Sequence, residues 1–274
     1  AGACVRALMG RWEQPRHDRG VVVLCGPGNN GADGSAIARR LAGLGVRVEA
    51  ILLGTADALQ RDAATQWGLL GAQGVPRTEV IDEEGLTEIA PRIATARVVV
   101  DALFGAGLNR PLSGLVRKTV EAVAAAGRAG AGVLAVDIPS GVHGGTGAIL
   151  GAAAQADLTV TFGTAKVGHF TSPGRALRGV LVVADIGVPL RRFPDLVAGG
   201  VRLIDASDLA RAVPLAGQDA HKGTFGHVLV VAGGPGKAGA ARLVSEAALR
   251  AGAGLVTLAV PSTLSTDSLG GMRP

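Results

Sequence analysis

The sequence predicts an α/β protein: a doubly wound, mostly parallel sheet in three layers (α/β/α), followed by the start of a second, truncated α/β domain. Three observations carry that reading. Valine-rich runs of six to eight residues recur along the 274-residue chain, with amphipathic stretches between them. The runs are apolar throughout instead of alternating, as in parallel strands covered by helices on both faces. Around residues 187–222 the rhythm breaks into Pro, Gly and Asp, then starts afresh at "HVLVVAGGPGKAGAARL".

In chain order, strands are expected at 20–25, 46–53, 97–103, 132–138, 157–163, 179–185, 227–232 and 254–260. Helical patterns fit 33–44, 57–72, 113–127 and 238–251, the last reading "AGAARLVSEAALRAG" with a glycine stop. Strands alternating with helices build a parallel sheet through right-handed crossovers. The break separates a first domain, 1–199, from the opening part of a second, 200–274.

Composition narrows the function classes. The chain is 48% hydrophobic with 43 glycines, which supplies a sizeable core and many tight turns. Its net charge of +5 comes without a polybasic block, and aromatics are 3% with no tyrosine. The stacking platforms of single-stranded nucleic-acid binders are therefore missing, and no nucleic-acid partner is expected. Cys4 and Cys25 form neither a metal-ligand spacing nor a disulfide framework, which fits a reducing, cytoplasmic setting. No apolar run approaches the roughly 18 residues of a membrane span, and no secretory pattern opens the chain. Both ends, "AGACVRALMG" and "GGMRP", read as cut.

The stretch "CGPGNNGADG" (25–34) follows an apolar strand and precedes a helix. Gly26, Gly28 and Gly31 match G-x-G-x-x-G, a weak Rossmann-type fingerprint that brings an anion to a helix N-terminus. A plain dinucleotide fold also wants an acid about 20 residues on, at the end of the second strand. Here that strand ends in Leu53 and Gly54, and Glu49 comes too early. Asp33 would repel pyrophosphate unless a cation or hydroxyl intervenes; it reads equally as a helix N-cap or a ligand contact.

Three further polar clusters close apolar strands: Asp101 with Asn109 and Arg110, Asp137 with Ser140, and Lys166 with His169. In open parallel sheets, ligands collect beyond the carboxyl ends of strands, so these clusters should share one crevice. Asn, Asp and Ser oxygens suit a hard cation, and the scattered histidines argue against a transition metal. Without a G-x-S-x-G elbow, Ser140 reads as a loop hydrogen-bonder or a cation contact.

In order and spacing, "GPGNNGADG", "VVDALFGAGLNRPLSG", "AVDIPSG" and "TFGTAKVGHFTSPG…VVADIGVP" resemble the NAD(P)H-hydrate epimerase domain over about residues 20–190. Residues 221–261 resemble the opening of the ADP- or ATP-dependent NAD(P)H-hydrate dehydratase domain, a ribokinase-like fold. The resemblance implies a small-molecule substrate: NADH or NADPH hydroxylated at C6 of the nicotinamide ring, its R and S forms interconverted by the first domain. It implies that Asn29, Asn30, Gly31, Ala32 and Asp33 contact the hydrate, with Gly105, Ala106, Gly107, Leu108, Asn109, Arg110, Pro111 and Asp137. It further implies potassium held by Asn30, Asp101 and Ser140, a dimer through the epimerase domain, and Ala240 near the hydrate site of the second domain. ADP or ATP with magnesium would serve the dehydratase half. That half lacks its later nucleotide-binding segments here, so no dehydratase activity is expected of this chain.

The chemistry of a ring hemiaminal assigns Asp137 to charge and proton relay, and Lys166 to acid or phosphate anchor. Two departures from the family pattern stand out. Ala32 replaces a glycine and would crowd the loop if it required positive φ, and His143 stands where an acid is common. An NAD(P)-dependent oxidoreductase and a non-catalytic nucleotide-binding module on the same fold are the alternatives.

Overall fold

The computed structural model describes residues 1–12, 19–189, 201–213 and 217–264. The chain divides into two compact units, Ala1–Val201 and Arg202–Pro274. The first carries a seven-stranded sheet in the order β3-β2-β1-β4-β5-β6-β7, with every pair parallel. Its strands are β1 (Val21–Cys25), β2 (Val48–Leu53), β3 (Arg77–Val80), β4 (Val98–Ala102), β5 (Gly132–Val136), β6 (Leu158–Phe162) and β7 (Val180–Ala184). Its main helices are α1 (Gly2–Arg11), α2 (Asn29–Gly43), α3 (Arg61–Ala72), α4 (Glu83–Thr95) and α5 (Gly114–Arg128), with a short α6 (Gly174–Leu177).

Why the strands read as unbroken apolar runs is visible in their two faces. Val21, Val23 and Cys25 of β1 join one core with Ile37 and Leu41 of α2 and Trp67 and Leu70 of α3. Val22 and Leu24 join the opposite core with Leu86, Ile89 and Ile93 of α4 and Val120 and Val123 of α5. Successive side chains point to opposite faces, so a strand covered on both sides is apolar at most positions, as β1 is at all five.

Four elements of this unit lie outside the expected set: α1, β3, α4 and the short α6. β3 reads "RTEV" and buries only Val80, so as an edge strand it carries no apolar run. α4 contains Pro91, which ordinarily breaks a helix, yet it forms. The Asp82 carboxylate caps it by accepting from the Gly85 amide at 2.8 Å, and Leu86, Ile89 and Ile93 bury one stripe.

α2 begins at Asn29, earlier than the expected start at 33. Gly28 is its N-cap, and the Gly28 carbonyl accepts the Ala32 amide at 3.1 Å, closing the first turn around Asn29–Gly31. Asp33 therefore lies inside the helix, which corrects its N-cap reading. Ala32 is helical and buried in the core at 7% exposure, so its methyl faces no positive-φ strain.

The tight approach of this turn to the sheet requires glycine at two positions. A Cβ on Gly26 would lie 2.0 Å from the Leu103 carbonyl oxygen, and one on Gly31 only 1.8 Å from that of Gly26.

The second unit contains α7 (Ala206–Ala212), β8 (His227–Val231), α8 (Ala238–Arg250) and β9 (Leu255–Ala259). β8 and β9 pair in parallel, His227 opposite Leu255, as a βαβ unit requires. α7 lies in the stretch expected to be linker, capped by Asp205 accepting from the Ser207 and Asp208 amides. Other parts of that stretch, 190–200 and 214–216, lie outside the described residues.

Gly31→Ala should lower stability by about 2 kcal/mol, because the new methyl forces the loop off the sheet. Gly28→Ala, where an added Cβ meets nothing within 4 Å, should cost no more than the N-cap preference for glycine over alanine, about 0.5–1 kcal/mol. Urea midpoints of the two variants check the contrast.

Candidate functional site

The strand order reverses between β1 and β4, and the crevice beyond their carboxyl ends is where a ligand is expected. A cavity of about 760 Å³ opens there, within the range of small-molecule sites. Of the residues expected in a site, Asn29, Asn30, Asp33, Gly105, Ala106, Gly107, Leu108, Asn109, Arg110, Asp137 and Lys166 line it. Gly31 and Ala32 are buried behind the wall, and Pro111 lies outside it, in a smaller neighbouring hollow with Leu112 and Val116. Ala240 belongs to the other unit, exposed on α8. Phe104 and Phe162 line the cavity without having been singled out from the sequence.

The amides of Asn29, Asn30 and Gly31 begin α2 and have no carbonyl one turn back to bond. Asn29 and Asn30 line the cavity, so the start of α2 offers it N–H donors and a positive dipole end, which suits an anionic ligand group.

Asp137 follows β5 with φ 71°, one of two described non-glycine residues in the left-handed region. Its backbone is fixed at both ends: its amide donates to the Val160 carbonyl at 2.8 Å, and its carbonyl lies 2.9 Å from His169 Nε2. Its Oδ2 accepts the Ala106 amide at 2.9 Å. Its Oδ1 accepts Lys166 Nζ at 2.6 Å and Thr161 Oγ1 at 2.9 Å. Lys166 Nζ also donates to Thr161 Oγ1 at 2.7 Å and to the Phe162 carbonyl at 3.3 Å.

Burial alone would raise the Asp137 pKa. Hydrogen bonds from Lys166, the Ala106 amide and Thr161, with the Lys166 charge, outweigh it and hold the carboxyl below its ordinary value. Asp137 is thus kept ionised beside a cation. That arrangement can stabilise positive charge in a ligand, while the ammonium can give a proton to a leaving oxygen.

Asp101 and Ser140 lie beneath the cavity, both fully buried. Ser140 Oγ donates to Asp101 Oδ1 at 2.5 Å, the Ser140 amide donates to Oδ2 at 2.8 Å, and Ser140 Oγ accepts the Phe104 amide at 2.9 Å. Desolvation pushes the Asp101 pKa up, only partly offset by the Ser140 hydroxyl and the Ser140 and Leu103 amides. Asn30 contributes a buried Nδ2 with no hydrogen-bond partner. The Asp101 carboxyl, bonded only to neutral donors, the Ser140 hydroxyl and the Asn30 carboxamide oxygen are hard-oxygen donors of the kind an alkali cation takes. The unpaired Asn30 Nδ2 is an N–H donor and does not ligate one.

Sequence reasoning missed Thr161 and the role of His169. Thr161 is a polar residue near the carboxyl end of a strand that reads "LTVTF", where a second threonine, Thr159, masks it as ordinary strand composition. His169 stands in the sequence only as a neighbour of Lys166 at a strand end, with no pattern that assigns it a role. It is fully buried and accepts the Lys166 amide through Nδ1 at 3.0 Å.

Desolvation lowers the His169 pKa below 6.5 and that of Asp137 is held below 3.8 by its partners, so in both cases the unfolded chain binds a proton that the fold refuses. Stability present at neutral pH is then lost on acidification, from about pH 6.5 downward for His169 and below about pH 3.8 for Asp137. Asp101 runs the opposite way: its folded pKa is raised, so it takes its proton in the fold first and its own contribution grows as pH falls. The urea midpoint should therefore decline between about pH 7 and pH 5, and His169→Gln should flatten that decline. An unchanged slope in the variant would assign the loss elsewhere.

Residues 1–168 match the family model described as YjeF-related protein N-terminus. The bifunctional NAD(P)H-hydrate repair enzyme Nnr of Thermofilum pendens is 42% identical over 237 residues, covering 86% of this chain and 44% of that protein. The protein of the same name from Moorella thermoacetica is 38% identical over 247 residues, covering 89% and 45%. That of Coxiella burnetii is 37% identical over 258 residues, covering 94% and 50%. The chain thus spans about half the length of the curated relatives it matches. The crystal structure of yeast ynu0, YNL200c, superposes with a TM-score of 0.56 at 21% identity, over 75% of this chain and 84% of that one, and shares the fold. With the model covering more than half of its length, the chain belongs to the YjeF-related protein N-terminus family.

Proposed function

We propose that the first unit is an NAD(P)H-hydrate epimerase domain, interconverting the R and S forms of NADH or NADPH hydroxylated at C6 of the nicotinamide ring. The ionised Asp137–Lys166 pair on the cavity wall, below the free amides of α2, carries this reading. The names of the relatives support the substrate class.

The hydroxyl to be moved sits on a carbon next to the ring nitrogen, so the nitrogen lone pair can expel it. Lys166 donates a proton to the departing hydroxyl, which leaves as water. Asp137, ionised and close by, stabilises the resulting ring iminium cation. Water then adds to either face of the ring, and its proton returns to the Lys166 amine. The net reaction inverts one carbon and consumes nothing. The dinucleotide phosphates meet the helix start at Asn29–Gly31.

Asn30, Asp101 and Ser140 would hold a potassium ion, which supplies positive charge under the ligand loop. Their fit rests on the chemistry of the donor set: a buried Asp101 carboxyl whose partners are two amides and the Ser140 hydroxyl, with no cationic side chain among them. The second unit is read as part of a dehydratase half using ADP or ATP with magnesium, and a cytoplasmic dimer through the epimerase domain completes the reading. An oxidoreductase using intact cofactor is disfavoured by β2, which ends in buried Leu53, while Glu49 is engaged by Arg92 at 2.7 Å.

The test incubates the chain with pure R-hydrate and follows S-hydrate by chromatography, with and without potassium. Interconversion is expected, and Asp137→Asn should lower kcat by about 10²-fold or more, in the range of losing a charge-stabilising group. Wild-type kcat in that variant, with substrate still bound, would refute the assignment. Hydride transfer from unhydrated cofactor would instead favour the redox reading.

Gly105→Ala is a second, milder probe. The added Cβ would stand 2.9 Å from Asp137 Oδ2 and 3.4 Å from Asn30 Oδ1, tilting the carboxylate off its bonds. Activity should fall about tenfold or more with little change in the urea midpoint.

A further inference from the structure

We propose that His169 is the positioning residue of the site, fixing Asp137 and Lys166 relative to each other through their backbones. The inference rests on the epimerase reading above and deepens it.

An amide N–H can only donate, so the 3.0 Å contact from the Lys166 amide makes His169 Nδ1 an acceptor. The ring proton then sits on Nε2, which donates to the Asp137 carbonyl at 2.9 Å. One neutral imidazole therefore joins the peptide of the carboxylate to the peptide of the ammonium, across 29 positions of sequence. The ring is itself held. It is fully buried, and its own carbonyl accepts Arg178 Nε at 2.6 Å, while the Arg178 guanidinium packs over Phe170.

The bond to the Asp137 carbonyl matters most because Asp137 is in the left-handed region. That conformation is strained for a residue with a Cβ and persists only where neighbours over-determine it. The amide of Asp137 is tied to Val160 in β6 and its carbonyl to His169. The Ile138 amide also donates to the Val136 carbonyl at 3.0 Å across the turn. With the His169 tie cut, the peptide after Asp137 keeps that one anchor but loses the bond that sets its carbonyl, and the carboxylate shifts against the Ala106 amide, Thr161 and Lys166 together. His169 does not line the cavity, so it acts through these two residues.

Three variants separate the two bonds. His169→Gln can place a donor near the Nε2 position, His169→Asn an acceptor near Nδ1, and His169→Phe supplies neither. The readouts are kcat and KM for R-to-S interconversion well below each variant's melting temperature, and the pH titration of the Asp137 carboxyl by carbon NMR. The Phe variant should lose about 10²-fold in kcat with KM within threefold, and its Asp137 should titrate at higher pH than in the parent. The Gln variant should recover most of kcat and the Asn variant about tenfold less. Should the Phe variant not fold, the contrast between Gln and Asn decides. Equal kcat in these two, or an unmoved Asp137 titration in a folded variant, would overturn the proposal. A parent chain that fails to interconvert the hydrates would remove the epimerase reading, and the Asp137 titration would still judge the positioning role.

Discussion

Asp137 holds a backbone conformation that L-residues avoid, at φ 71°, and much of the site depends on that turn being kept. A residue continuing β5 in extended form would carry its side chain onward along the sheet. The left-handed turn instead lets the carboxylate accept the Ala106 amide from the β4 loop and the side chains of Thr161 and Lys166 from β6 and its loop. Three chain segments, distant in sequence, are thereby joined at one pair of oxygens. Because the donors include a cation, the carboxylate stays ionised despite its burial.

The sheet supplies the frame for that junction. Apolar runs with helices on both faces place the ends of β1, β4, β5 and β6 side by side, and the reversal between β1 and β4 opens the crevice. Glycine at 26 and 31 lets the first turn of α2 press onto the backbone at Leu103. That contact brings the helix amides to the rim of the same cavity. Asp101 and Ser140 then lie one level down, as a buried polar floor under the loop that follows β4.

How much was legible beforehand follows from the same physics. The core strands could be read because burial on both faces keeps them mostly apolar, with polar residues admitted only where a partner bonds them, as at Asp101 and Thr161. β3 could not, since an edge strand reading "RTEV" needs neither alternation nor an apolar run. α4 was hidden by Pro91, a local signal overruled by a capped, amphipathic stripe. Asp137 and Lys166 stood out as charges at strand ends. Thr161 did not, and His169 stood beside Lys166 without a role, because their functions are bonds to groups 24 and 32 positions away, which spacing along one chain does not encode. The reading of Asp33 as an N-cap failed for a simpler reason: Gly28 closes the helix turn through its own carbonyl, without any capping side chain.

The central claim is that the Asp137–Lys166 pair faces the hydroxylated carbon of a bound dinucleotide. A crystal structure of this chain with hydrated NADH tests it most directly. The account predicts the ring stacked over the Asp137 carboxylate, its C6 hydroxyl within hydrogen-bond reach of Lys166 Nζ, and the pyrophosphate at the amides of Asn29–Gly31. A dinucleotide bound with its nicotinamide ring away from Asp137, or with phosphate on Lys166 and the ring elsewhere, would contradict it.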